Sequence, residues 1–136
     1  MVRQDEDVIQ DGGRLADAAS VAFRQFVEMG YRFESSGPGG RGESVDLISD
    51  LVRISISADW LEGEMAVDLQ TVGHPAVPLG SVVDLEQVHG LHLRRISRSA
   101  TRDQLVATLT KVADALVSQA PDVLAETPEG LARLGA

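Results

Sequence analysis

The sequence predicts an α+β fold: an antiparallel β-meander of about four strands, covered on one face by an N-terminal and a C-terminal helix. Apolar and polar residues alternate within residues 44–71: Val52, Ile54 and Ile56 with Arg53, Ser55 and Ser57, then Met65, Val67 and Leu69 with Ala66, Asp68 and Gln70. A period of two sends each set to one side of a pleated strand. Apolar patterns at spacings of three and four flank this stretch on both sides, as amphipathic helices require. A sheet that is dry on one face needs cover on that face alone, and the two helices supply it.

Residues 1–10 are polar and without a period, so a flexible acidic arm is expected there, with 11–136 as a single domain. A chain of this length buries a core without disulfide or metal staples. From 11 to 29, Leu15, Ala18, Ala19, Ala22, Phe23, Phe26 and Val27 form a broad stripe, which predicts one helix with Gly30 as its left-handed cap. Tyr31, Phe33 and Ser35 then alternate with Arg32, Glu34 and Ser36 as a first strand. A glycine-rich loop over 37–42 leads to a second strand at about 44–49.

Ser49 and Asp50 interrupt the pattern before 51–58; a hairpin turn and a bulge inside one long strand both fit. Asp59, Trp60, Leu61, Glu62 and Gly63 read as a hairpin loop with Gly63 at the position needing positive φ, and a strand returns over 64–71. Two prolines and two glycines in 73–80 exclude a central strand or helix interior. Ser81 and Asp84, with Val82, Leu85 and Val88, predict a short helix closed by Gly90. Residues 91–98 fit neither period, because Arg94, Arg95 and Arg98 interrupt the alternation of Leu91 and Leu93. Thr101 with Gln104 is a capping box. Leu105, Leu109, Val112 and Leu116 then mark the second main helix, and Pro121 and Thr127-Pro128-Glu129 open final short turns.

The formal net charge is −9. Residues 1–90 hold six basic and sixteen acidic side chains, whereas 91–136 hold six and five. An acidic sheet half repels nucleic-acid phosphates and anionic lipid and steers a basic partner towards itself. Neither nucleic acid nor membrane is therefore expected as a partner. The start of the chain is acidic where a secretory signal is basic, and no apolar run reaches the roughly eighteen residues of a membrane helix, so a cytoplasmic location is expected. With no cysteine, thiol catalysis and thiolate metal sites are excluded.

Gly37, Gly39 and Gly42 match G-x-G-x-x-G, and residues 37–44 match the P-loop pattern except for Glu43 in place of lysine. A phosphate cradle needs a cation and a following helix, whereas a carboxylate and strand-like residues follow here, so the stretch reads as a loop. Glu86 and His89 form a Glu-x-x-His pair with His92 nearby; a metal site of that kind needs a second pair and more carboxylates. A cationic ring in the last turn of a short helix is the simpler reading of His89. Arg94, Arg95, Arg98 and Arg102 lack interleaved aromatics and read as partners for the acidic half. Trp60 either anchors a partner, as interface hot spots do, or folds back to close one end of the sheet.

The order of parts, a helix running into Gly30-Tyr31-Arg32-Phe33, the strands containing Leu51-Val52-Arg53-Ile54 and Met65-Ala66-Val67-Asp68-Leu69, then Val83-Asp84-Leu85 and a closing helix, resembles small immunity-type α+β proteins of GC-rich Gram-positive bacteria. The likeness spans about residues 15–118 and implies a binding role with no catalytic residue. The first expectation is a non-enzymatic, acidic protein-binding module of immunity or antitoxin type, without cofactor or metal. As a monomer or homodimer it would neutralise a basic partner, a toxin for instance, met by Asp59, Trp60, Glu62, Glu64 and Asp68. The alternatives are a secretion-chaperone-like homodimer and a metal-binding or hydrolytic enzyme built on Glu86, His89 and His92.

Overall fold

A computed structural model describes residues 10–39, 42–88 and 100–136, with Leu93 and Ile96 between the last two stretches. The elements are α1 (Gln10–Ala22), α2 (Arg24–Glu28), β1 (Arg32–Gly39), β2 (Gly42–Ile48), β3 (Val52–Asp59), β4 (Glu64–Thr71), β5 (Val77–Pro78), α3 (Arg102–Gln119), α4 (Pro121–Leu124) and α5 (Pro128–Ala132). Each strand pairs antiparallel with the next, giving one sheet in the order β1-β2-β3-β4-β5. The α+β class and the helix-sheet-helix order are those expected; the sheet has five strands where about four were expected. The additional strand lies in the stretch with two prolines. It is only two residues long, pairing Val77 with Leu69 and Pro78 with Asp68, and an edge position tolerates a residue without an N–H.

Alternation places the core. Val45, Ile56 and Val67 form one cross-strand row and Leu47, Ile54 and Leu69 the next, and all six are buried. Leu15, Ala18 and Ala19 of α1 and Leu105, Leu109, Val112 and Leu116 of α3 are buried with them. α1 lies over β1 and β2 and packs along α3. The capping box at the start of α3 is formed: Gln104 N–H donates to Thr101 Oγ1 at 3.1 Å, and Thr101 N–H to Gln104 Oε1 at 2.9 Å. Among the described residues no helix is long and apolar enough to cross a membrane.

The single helix expected over 11–29 is broken at Phe23, whose φ and ψ of −107° and 23° leave the helical region. The break carries Phe23 and Phe26 into one corner of the core, edge to face at 5.0 Å, with Tyr31 5.9 Å from Phe26. Gly30 is the left-handed residue that ends the segment, at φ +107°. Ser49 and Asp50 form a hairpin turn rather than a bulge, closed by Ser49 N–H to Val52 O at 2.9 Å. The helix expected from Ser81 is replaced by two 3₁₀ turns, Leu79–Ser81 and Leu85–Gln87. Val82 and Val83 are both buried while Leu85 is exposed, so the apolar residues do not share one helical face, and β-branched valines favour a helix less than unbranched residues do. Gln10, expected as the last residue of an arm over 1–10, begins α1; 1–9, Gly90 and most of 91–98 lie outside the described residues.

The C-terminal segment is tied to the sheet by side chains that carry no periodic signal. Glu126 sits at φ +59° and its Oε2 accepts from Ser49 Oγ and from Leu51 N–H, the latter at 2.9 Å. Beside it Tyr31 donates to Leu124 O at 3.1 Å. Burial, reinforced by the Glu126 charge and opposed by a hydrogen bond with Ser49, pushes the Tyr31 hydroxyl up to about 12.

Candidate functional site

The sheet face turned away from the helices has no described element packed on it. Its composition follows from register. One cross-strand row is Arg32, Ile48, Arg53 and Gln70; the next is Glu34, Asp46, Ser55 and Asp68; a third contains Ser44, Ser57 and Ala66. Three of the four residues in the middle row are carboxylates. Arg53 pairs with Asp46 at 3.0 Å and Arg32 approaches Glu34 at 4.0 Å, contacts worth little at an exposed surface. Side chains in the third row are small, so relief is low and a partner can approach the strands closely.

At the β3–β4 end of this face Asp59 and Glu64 stand directly opposite each other. With Ser57 and Ala66 they line a hollow of about 260 Å³. Like charges at opposed positions are unfavourable. Asp59 is held there by the turn itself, since its Oδ1 accepts from Leu61 N–H at 3.1 Å and Glu62 N–H at 3.0 Å. Gly63 completes the turn at φ +71°, with its N–H on Asp59 O at 2.9 Å.

Of the five residues expected to meet a partner, Asp59, Glu64 and Asp68 therefore share the open face. Glu62 is exposed at the hairpin tip. Trp60 folds back: it is half-buried against the core, with the Arg14 guanidinium 4.1 Å from its ring centroid. A cation over an indole face at this range stabilises by about 0.5–2 kcal/mol. The tip is thereby joined to α1.

Glu43 is the residue the sequence reading missed. It is only 7% exposed, and its Oε1 has no hydrogen-bond partner among the described residues. Burial raises its carboxyl above the usual range, against the opposing pull of the Leu15 amide, the Arg14 charge, the Trp60 side chain and the Ala16 amide. A signal was present, because Glu43 has the same parity as inward-facing Val45 and Leu47. The P-loop match drew attention to its charge instead. Gly42 is needed for close approach of the backbones: a Cβ there would lie 2.4 Å from Ala58 O.

A carboxyl whose folded pKa exceeds its unfolded one contributes most below the unfolded pKa, and that contribution is lost as pH rises through the folded value. Glu43→Gln removes the titration. The melting temperature of Glu43→Gln minus that of the wild type is therefore expected to rise from pH 4 to pH 8, by the equivalent of about 1 kcal/mol for one under-satisfied buried group. A difference that stays flat or falls over this range would refute the assignment.

Of the metal candidates Glu86, His89 and His92, only Glu86 falls among the described residues. Glu86 is exposed on a 3₁₀ turn, while His89 and His92 lie outside the described residues. Among the described residues no group of three or more histidines or carboxylates is placed to hold a metal ion. Arg94, Arg95 and Arg98 also lie outside; Arg102 pairs with Asp17, joining α3 to α1. Comparison with protein-family models, curated proteins and solved structures finds no match to this chain.

Proposed function

We propose that the protein is a non-enzymatic, acidic protein-binding module that neutralises a basic partner in the manner of an immunity protein or antitoxin. The observation that carries this reading is the sheet face on which no described element packs, where Glu34, Asp46 and Asp68 cross the strands in one row and Asp59 opposes Glu64. A basic surface laid on it would bring cations to the row of Glu34, Asp46 and Asp68 and to the opposed pair Asp59 and Glu64. It would also meet small side chains at Ser44, Ser57 and Ala66 that do not hold it off. The net charge of −9 adds long-range steering, which weakens as salt shortens the Debye length to about 8 Å at physiological ionic strength.

The expected result is capture of a basic partner at low ionic strength and its release by salt. The double variant Glu64→Lys/Asp68→Lys should bind that partner about tenfold more weakly or worse, chiefly through slower association. Its far-UV circular dichroism should match the wild type, since both side chains sit on the outward side of β4. Undiminished binding by the double variant would refute the proposal.

A further inference from the structure

The two edges of the sheet are finished differently. At one side β5 covers Asp68 and Leu69. Leu93 and Ile96 meet the chain near the start of β4, through Met65 N–H to Leu93 O at 2.6 Å and Ile96 N–H to Gly63 O at 2.9 Å. At the other side β1 runs for eight residues, and no described strand pairs with its outer edge. The register of β1 against β2 breaks between Ser36 and Gly39, and Pro38 lacks a donor, so that end is blunted. From Arg32 to Ser36 the register is unbroken. A regular edge of this kind is a template for another strand.

Charge selects the occupant. Arg32 and Glu34 point to the same side of β1, and their side chains are 65% and 57% exposed. If β1 pairs antiparallel with β1 of a second copy about a two-fold axis at Phe33, Arg32 of each chain faces Glu34 of the other. The two Phe33 side chains, each half-buried in its own chain, then face each other on the helix side. Moving the register by two residues sets Arg32 against Arg32 or Glu34 against Glu34, so the alternatives that keep the same face outward are repelled. We propose that the protein forms a homodimer through β1 in this register, joining two five-stranded sheets into one. The open face of each copy stays uncovered, so the dimer presents the acidic rows twice.

Sedimentation equilibrium tests this. The wild type should weigh twice 14.5 kDa. Arg32→Glu and Glu34→Arg each convert two attractive cross-strand pairs into repulsive ones, and should each weaken the dimer by about tenfold or more. Mixed in equal amounts, the two variants restore both pairs in a heterodimer, which a misfolded variant could not form. Hydrogen exchange at residues 33–35 of the wild type should slow as protein concentration rises. A wild-type monomer would overturn the proposal. So would a dimer indifferent to both reversals, a mixture that does not associate, or exchange independent of concentration.

Discussion

Gly130→Ala is expected to lose about 3 kcal/mol or more of stability, as overpacking against immovable neighbours does. A Cβ on Gly130 would lie 2.1 Å from Asp122 O, 2.3 Å from Asp122 C and 2.6 Å from Val123 N. All three are main-chain atoms, so no side chain can swing away, and α5 must lift from α4. Lifting it strips Thr127 N–H and Oγ1 from Asp122 O, at 3.1 and 3.2 Å. It also removes Arg133 from Asp122 Oδ1 at 2.6 Å, from Gln119 O at 3.3 Å and from Val82 O. Leu134, 1% exposed, would be drawn into water. For a chain of this size the melting temperature should fall by roughly 10 °C. Gly80→Ala is the control: its Cβ would meet only Leu85, at 3.4 Å or more, and its cost should stay within about 0.5 kcal/mol. Equal costs for the two substitutions would show that α5 is not seated on α4 through Gly130.

Ile56→Ala should cost about 3–4 kcal/mol, the lost transfer of three carbons plus the cavity they leave. Ile56 is fully buried in β3, between Val45 on β2 and Val67 on β4. Strands on both sides prevent local collapse, which places the cost high in the usual range. Its neighbour Ser57 is exposed on the other face, so Ser57→Ala should change stability by no more than about 0.5 kcal/mol. Urea unfolding measures both, with the slope m unchanged if the denatured state is unaffected. Because a domain is held by only about 5–15 kcal/mol, Ile56→Ala should be visibly compromised at ambient temperature. Matching losses at 56 and 57 would contradict the two-sided sheet.

Much of the fold was legible because its signals are local. The β4 limits, the α3 capping box, and the glycines at positive φ, Gly30 and Gly63, all answer to residues within a few positions of each other. The break at Phe23 was not legible, since a stripe of apolar residues reads the same whether the helix is straight or bent to seat two rings. Glu126 was invisible for a similar reason: its partners, Ser49 and Leu51, are more than seventy positions away. The acids of the open face were half legible. Parity alone put Asp68 on the polar side of its own strand. Only the pairing of β1 with β2, and of β2 with β3 and β4, could draw Glu34, Asp46 and Asp68 into one row.

By itself the sequence determined the alternation of β3 and β4, the capped start of α3, and that the sheet half is acidic, because period, capping and charge act over one or two turns of chain. The tertiary structure alone decided that Trp60 closes over α1 with Arg14, that Glu126 reaches Ser49 and Leu51, and that no described strand pairs with the outer edge of β1. Those outcomes depend on which surfaces meet once the chain has folded, and no local pattern encodes a meeting between distant residues.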